Sequence, residues 1–299
     1  MARKTAPQAS FDDQLVLFRY FLHELKIDSL GALSVKLNSA EYEGFNESGG
    51  TYFCDYIARI SKMKGAAITP EKLRLYDANI CRHTRQVGEK RGGLRWKYFQ
   101  YVALLFTEIY LDRYFTDAEG FCADLNNWLS TKRTESFGLI DFQPYTVDKL
   151  NKLAFMCATG SGKTLIMHMN ILQFLHYFKR AKRMNSKLSI NKVIVLAPNE
   201  GMSNQHLEEL ALSSIPAAMF QKDRGFTTRR DDVIVIDMNK LKEEGKIKTV
   251  SVDSFEQNNL VLVDEGHRGL SGDVWYDYRT PASPQKALPL NIPQPLSRL

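Results

Sequence analysis

The 299-residue chain contains only four cysteines, and no two of them form a Cys-x-x-Cys pair. It also lacks any run of about 20 apolar residues, which a membrane-spanning helix would need. No apolar segment follows the basic residues at its start, MARKTAPQASFDDQ. These absences argue against a disulfide framework, a zinc site, a membrane span and a secretory signal. We therefore predict a cytoplasmic protein with reduced thiols and no membrane partner.

The composition is that of a globular protein, with 44% hydrophobic and 25% charged residues. The formal net charge is +6 and the isoelectric point is about 9.0. This mild basic excess is compatible with a phosphate-bearing partner but does not require one. At this length the chain has room for two ordinary domains.

Residues 1–137 are predicted to form a helical accessory domain. In FDDQLVLFRYFLHELKI, apolar residues recur at spacings of three and four, namely at Leu15, Phe18, Leu22 and Leu25. Asp12 and Asp13 suit the positive N-terminal end of that helix. LRWKYFQYVALLFTEIYLDRYF shows the same register from Trp96 to Tyr110 and predicts a second, longer helix. The glycines of NESGGTYF and KRGGLR predict turns.

One stretch of this region, CRHTRQVGEKRGGLRWK, is strongly basic. It could bind a nucleic-acid backbone, with a base stacked on Trp96. The alternative, which we favour, is a solvated turn before a core helix with Trp96 buried. The six cations of the stretch are Arg82, Arg85, Lys90, Arg91, Arg95 and Lys97.

Residues 138–272 have an α/β pattern, in which short apolar runs alternate with helical stretches. KLAFMCA, KVIVLAP, DVIVID, KTVSV and NLVLVDE predict buried strands of a mostly parallel sheet. GKTLIMHMNILQFLHYFKRAKR predicts a crossover helix. Residues 273–299 are predicted to form a loose tail, because five of the chain's ten prolines lie in its last 19 residues.

The motif CATGSGKT predicts a phosphate-binding loop between a strand and a helix. Gly160 and Gly162 permit the tight backbone turn that points successive N–H groups at a phosphate. Lys163 supplies a cation for the β- and γ-phosphates, and Thr164 a hydroxyl for Mg²⁺. Thr159 and Ser161 complete the loop.

A second motif, NLVLVDEGH, predicts the acidic half of the same site. Asp264 follows a buried strand at its carboxyl end, where open α/β sheets bind ligands. We expect Asp264 to hold Mg²⁺ and Glu265 to orient or deprotonate the attacking water. Together the two motifs predict ATP and Mg²⁺ as cofactors.

The pairing of ATGSGKT with D-E-x-H resembles the DEAD/DEAH-type helicase and translocase superfamily. LAFMCATGSGKTLIMH, VLAPNEGMSNQHLEEL and NNLVLVDEGHRGLSG are similar to the helicase subunits of type III restriction enzymes and their relatives in bacterial defence. The resemblance covers about residues 138–272 and implies a RecA-like P-loop NTPase lobe. In this superfamily the first loop position often lacks glycine, which accounts for Cys157.

The resemblance also implies roles for individual residues. The phosphate backbone of DNA would be contacted by Ser203, Asn204 and Gln205, and duplex DNA is favoured over a single strand. The alternative for Ser203 is a helix cap. His267 would link the ATP site to the nucleic-acid-binding parts. Gln143, 20 residues before Lys163, would read adenine through its amide.

Motors of this superfamily have two RecA-like lobes, and no S-A-T motif or second lobe follows residue 272. We therefore expect an N-terminal fragment of a longer protein, incomplete for motor activity and weak as an ATPase. In the intact protein, ATP cycling would drive movement along DNA in restriction or phage defence, with modification or defence subunits as partners. The alternatives are a non-motor nucleotide-sensing regulator and an inactive remnant that serves as an interaction module.

Overall fold

The computed structural model describes residues 15–135, 143–220, 232–238 and 258–265. Its contacts divide the chain into two compact units. Unit 1 comprises Met1–Arg82 and Arg95–Leu150, and unit 2 comprises His83–Leu94 and Asn151–Leu299. No helix within the described ranges is long and apolar enough to cross a membrane.

Unit 1 is helical in its described part. Its helices are α1 (Val16–Glu24), α2 (Leu30–Leu37), α3 (Tyr52–Met63), the first part of α4 (Pro70–Gly88), and α5 (Tyr98–Glu135). Short 3-10 turns span Ala40–Tyr42 and Val147–Asn151. The predicted boundary at residue 137 stays a prediction, and the predicted tail, 273–299, lies outside the described residues.

Helix α1 confirms the first predicted apolar stripe. Leu22 and Leu25 are buried, and the ring of Phe18 lies 5.6 Å from the ring of Phe106 in α5. Burial of such side chains typically stabilises a fold by about 1.5–3 kcal/mol each, so this stripe fixes α1 against α5. Asp12 and Asp13 lie outside the described residues.

Helix α5 confirms the second predicted helix, with two differences. It begins at Tyr98, so Trp96 precedes the helix; Trp96 is buried, as the favoured interpretation required. The predicted solvated turn is wrong over residues 81–88, because they belong to α4 and bury Thr84 and Val87. Helix α5 is also interrupted at Asp117, where φ is −156° and ψ is 80°. The Asp117 carboxylate accepts a hydrogen bond from the Gly120 amide at 2.9 Å, which caps the second half of the helix.

The described part of unit 2 contains the elements α6 (Lys163–Met184), β1 (Val193–Ala197), α7 (Glu200–Leu212), β2 (Ala217–Met219), β3 (Val233–Asp237) and β4 (Leu260–Val263). Its four strands form a parallel sheet in the order β2-β3-β1-β4. The predicted runs KVIVLAP, DVIVID and NLVLVDE are confirmed as strands, and KTVSV lies outside the described residues. Helix α6 confirms the predicted crossover helix.

The predicted strand KLAFMCA is wrong. Residues 152–158 are irregular, and the side chain of Met156 is 67% exposed. The run contains no valine or isoleucine, whereas β1, β3 and β4 each contain at least two such residues. Since β-branched side chains favour a pleated, half-buried surface, this run has the weakest local preference for a strand among the predicted runs.

Candidate nucleotide-binding site

The loop before α6 has the backbone of an anion cradle. Gly160 and Gly162 both adopt left-handed conformations, with φ of 76° and 83°. A side chain at either position would strain the backbone, so the two glycines are what permit the turn. Gly162 is the N-cap of α6, a helix of 22 residues that begins at Lys163. Unsatisfied N–H groups and the positive helix end therefore face an anion bound at this loop.

The predicted loop residues differ in exposure. Thr159 and Gly160 are exposed, whereas Ser161, Gly162, Lys163 and Thr164 are partly buried. The Ser161 amide donates to the Ala158 carbonyl at 3.2 Å, which closes the turn before the helix.

The two sequence motifs meet through an ion pair. The Lys163 ammonium donates to Glu265 Oε1 at 2.5 Å, although the two residues are 102 positions apart. The hydrogen bond to Glu265 is the main cause of a raised pKa for Lys163, which thus stays charged. Glu265 itself adopts a left-handed backbone conformation, with φ of 50°, which is costly for a residue other than glycine.

Asp264 is held at the carboxyl end of β4. Its amide donates to the Leu196 carbonyl at 3.0 Å and so continues the pairing of β4 with β1. Both carboxylate oxygens have partners: Oδ1 accepts from the Glu265 amide at 2.9 Å, and Oδ2 lies 3.0 Å from His206 Nε2. The hydrogen bond from His206 is the main cause of a lowered pKa for Asp264. Asp264 is therefore an ionised, oriented carboxylate.

His206 is the functional candidate that the sequence analysis missed. Its side chain is 4% exposed, and it lies on α7 within the same APNEGMSNQH segment that supplied the DNA-contact candidates. Ser203, His206 and Leu210 are all buried and recur at spacings of three and four. That helical stripe, once the start of α7 is known, is the signal that could have separated His206 from its exposed neighbours.

The three predicted DNA-contact residues are not equivalent. Asn204 and Gln205 are exposed. Ser203 is fully buried, and its hydroxyl donates to the Asn199 carbonyl at 3.0 Å. In this conformation the Ser203 side chain is not accessible to a phosphate, because it lies on the inner face of α7. The alternative of a cap at Ser203 is wrong, because the N-cap is Asn199, whose side chain accepts from the Met202 amide at 2.9 Å.

Two further predicted residues remain predictions. Gln143 is exposed in an irregular segment that precedes the 3-10 turn Val147–Asn151. His267 lies outside the described residues. Neither role receives support or contradiction from the geometry.

The acidic end of the site suits Mg²⁺ bound together with a nucleotide. Among the described residues, no group of three or more His, Cys, Asp or Glu side chains could hold a metal by itself. Mg²⁺ in nucleotide sites normally uses only one or two carboxylates, with substrate phosphates and water as the other ligands. Asp264, together with a hydroxyl such as that of Thr164, is a donor set of this chemistry. None of the four cysteines forms a disulfide.

A parallel α/β sheet with a glycine-bearing phosphate loop and an acidic strand end defines the P-loop NTPase class. Residues 123–285 match the family described as type III restriction enzyme, res subunit (ResIII), and the match covers more than half of the chain. The chain belongs to this DEAD-like helicase family, so unit 2 carries a helicase-like, RecA-like ATPase lobe. No curated protein and no solved structure matches the chain.

Proposed function

We propose that residues 138–272 form the first RecA-like lobe of a DNA-dependent ATPase of the DEAD/DEAH type. The observation that carries this proposal is the 2.5 Å contact between Lys163 and Glu265, because it brings both halves of the ATP site together. The family match supports the same reading. We further propose that the intact protein is a translocase or helicase of a restriction or phage-defence system in the cytoplasm, with modification subunits as partners.

Lys163 is proposed to bind the β- and γ-phosphates of ATP. In the present structure its ammonium is paired with Glu265, and only 31% of its side chain is exposed. A polyphosphate at the loop offers Lys163 several charged oxygens in place of one carboxylate. The same exchange would release the Glu265 carboxylate, which can then orient or deprotonate the attacking water.

Asp264 and Thr164 are proposed to hold Mg²⁺. Asp264 is ionised and has its carboxylate oriented by the Glu265 amide and His206 Nε2. A carboxylate fixed in this way needs little rearrangement to receive a metal ion or its water. Bound Mg²⁺ would neutralise charge that develops on the β- and γ-phosphate oxygens.

Asn204 and Gln205 are proposed to contact the phosphate backbone of DNA. Both are exposed near the N-terminal end of α7, where amide side chains and helix N–H groups suit phosphate oxygens. Ser203 is left out of this direct contact because it is buried. Gln143 and His267 are retained as proposals for adenine recognition and for coupling to the nucleic-acid-binding parts.

The test measures MgATP binding first and turnover second, with and without duplex DNA. Lys163→Ala is expected to weaken MgATP binding at least tenfold, since one phosphate contact by a charged group is worth about 1.5–3 kcal/mol. Glu265→Gln is expected to retain binding and to lose turnover. Lys179→Ala, an exposed position on the same helix, and Glu208→Gln, an exposed position on α7, are the matched controls.

The outcomes separate the proposal from its alternatives. Turnover that rises with duplex DNA and vanishes in Glu265→Gln supports a DNA-dependent ATPase. MgATP binding that DNA leaves unchanged points instead to a nucleotide-sensing regulator. If the parent chain binds no MgATP, or if Lys163→Ala binds it as the parent does, the proposed function is wrong.

A further inference from the structure

Helix α7 contains both the proposed DNA-contact residues and the partner of Asp264. Asn204 and Gln205 are exposed, and His206, the next residue, points to the opposite, buried face. From that face His206 Nε2 reaches Asp264 Oδ2 at 3.0 Å. Two adjacent residues of one helix therefore connect the proposed DNA surface with the proposed metal-binding carboxylate.

The chemistry of this contact fixes which group donates. The ionised Asp264 carboxylate can only accept, so His206 Nε2 carries the proton of the hydrogen bond. His206 Nδ1 is buried and has no hydrogen-bond partner among the described residues. A buried polar atom without a partner costs about 1–3 kcal/mol. An apolar residue at position 206 would avoid that cost, so the histidine is explained by its contact with Asp264.

Helix α7 is held firmly enough to transmit a displacement. Its N-terminus is capped by Asn199, and the carbonyls at its C-terminal end accept hydrogen bonds from the segment 83–94 of the same unit. Lys90 Nζ donates to the Ala211 carbonyl at 2.8 Å, and Arg91 donates to the Glu209 carbonyl at 3.0 Å. A helix whose two ends are stabilised in this way shifts as a body more readily than it bends. A hydrogen bond of 3.0 Å does not survive a shift of about 1 Å, so the His206–Asp264 contact would sense such movement.

We propose that His206 is a positioning residue that orients the Asp264 carboxylate for Mg²⁺ and makes this orientation depend on the position of α7. Nucleic-acid backbone bound at Asn204 and Gln205 therefore controls metal binding. The inference rests on the proposed function, because it assigns the regulation of that same site. The occupant of the α7 surface is a phosphodiester backbone, and the regulated step is the binding of the metal that accompanies ATP.

The test compares His206→Gln with His206→Asn, two amides that differ by one methylene. Gln places its N–H₂ group near the position of His Nε2 and can reach Asp264, whereas the shorter Asn cannot. The readout is Mn²⁺ binding to the protein in the presence of ATP, measured from the loss of the free Mn²⁺ signal in electron paramagnetic resonance. A protein-free sample gives the Mn²⁺ that ATP and DNA bind by themselves, and this amount is subtracted. ATP binding in EDTA is measured beside it as a control for folding and for the phosphate loop.

His206→Asn is expected to weaken Mn²⁺ binding about 10–100-fold, the usual effect of losing a residue that orients a metal ligand. His206→Gln is expected to stay close to the parent, and both variants should bind ATP in EDTA as the parent does. Duplex DNA is expected to change the Mn²⁺ affinity of the parent and of His206→Gln but not of His206→Asn. Asn204→Ala combined with Gln205→Ala should remove the DNA effect.

Two failures can be told apart. If the parent binds no nucleotide, the proposed function is wrong, and this inference is overturned with it. If the parent binds Mn²⁺ with ATP and Lys163→Ala abolishes that binding, the proposed site stands. In that case, equal Mn²⁺ affinities of His206→Asn and the parent overturn the positioning role. A DNA effect that is absent from the parent, or unchanged in His206→Asn, overturns the coupling.

Discussion

Two aspartates, one in each unit, show how differently a protein can use a partly or fully buried carboxylate. Asp77, on α4 in unit 1, is 3% exposed. It accepts hydrogen bonds from the Thr51 amide at 2.8 Å, the Thr51 hydroxyl at 2.6 Å and the Tyr101 hydroxyl at 2.7 Å. Asp264, at the end of β4 in unit 2, has a 15% exposed side chain and accepts from His206 and the Glu265 amide.

The pKa values of the two carboxylates shift in opposite directions. Burial raises the pKa of Asp77, because four neutral donors, among them the Cys81 thiol, do not compensate fully for the lost hydration. The hydrogen bond from His206 lowers the pKa of Asp264 and outweighs its milder desolvation. Asp77 therefore belongs to a buried structural network. Asp264 stays charged at the surface of a site, which is the condition for binding a cation.

The substitution Asp77→Ala is expected to have the largest effect on stability. The change leaves buried donors of Thr51 and Tyr101 without their acceptor, and each such group costs about 1–3 kcal/mol. Thr51 is also the N-cap of α3, since its hydroxyl accepts from the Cys54 amide at 3.1 Å. We expect the free energy of unfolding to fall by about 3 kcal/mol or more, as measured by urea denaturation.

The control is Glu119→Ala, at an exposed position of α5, which is expected to change stability little. MgATP binding by the folded fraction of Asp77→Ala should equal that of the parent, because Asp77 serves unit 1 alone. A stability like that of the parent, or a specific loss of MgATP binding, would contradict the structural role of Asp77.

Acid pH is expected to affect the stability of the two units differently because of His168. This residue of α6 is fully buried, and its Nδ1 lies 2.8 Å from the Ser213 hydroxyl. Burial, followed by electrostatic interactions with His206 and Arg91, lowers the pKa of His168 from its ordinary 6.5 to about 3. Between these two values the unfolded chain binds a proton that the folded chain does not. The stability associated with His168 is therefore complete above pH 6.5 and lost as the pH falls, by about 1.4 kcal/mol per pH unit.

At pH 5.0 this loss amounts to about 2 kcal/mol relative to pH 7.5. Asp77 acts in the opposite sense, because its pKa is raised on folding and acidification favours the folded state. Hydrogen exchange should therefore show amides of α6 losing protection at pH 5.0 more than amides of α5. His168→Asn, which keeps an amide near Ser213 but does not titrate, should reduce this difference. An unchanged pH profile in that variant would contradict the assignment to His168.

The sequence predicted the parts of the fold that depend on local pattern. Valine- and isoleucine-rich runs gave β1, β3 and β4, and the rule that ligands bind at the carboxyl ends of parallel strands anticipated that Lys163 and Glu265 lie together. KLAFMCA failed as a strand because its residues are apolar without being β-branched. Hydrophobicity alone therefore did not decide between strand and irregular backbone.

Neither carboxylate network could be predicted from the sequence. The Asp77 donors Tyr101 and Thr51 are 24 and 26 residues away on other elements, and His206 is 58 residues from Asp264. Such contacts depend on which face of a helix is buried and on how the elements pack, and a single sequence carries little information about either. The exposure of Asn204 and Gln205 beside the buried Ser203 has the same origin.

The smallest expected effect concerns how firmly α7, which positions His206, is held. Arg91 has a 15% exposed side chain and donates to both the carbonyl and the carboxylate of Glu209, whereas Lys90 is exposed and makes a single contact with the Ala211 carbonyl. Both cations complement the negative C-terminal end of α7. Their use as helix caps also accounts for part of the basic stretch without a nucleic-acid ligand.

Arg91→Ala is expected to destabilise unit 2 by about 1–2 kcal/mol, because it removes a half-buried charge-assisted contact and leaves the Glu209 carbonyl without this donor. Lys90→Ala should have little effect, as is usual for an exposed cation. Arg91→Lys should recover only part of the loss, since an ammonium lacks the fixed, planar donors of guanidinium. Hydrogen exchange of the α7 amides measures the three variants side by side.

Because a looser α7 holds His206 less firmly, Arg91→Ala should also weaken Mn²⁺ binding with ATP, by less than His206→Asn does. Equal protection of α7 in Arg91→Ala and Lys90→Ala would show that the segment 83–94 does not anchor the helix.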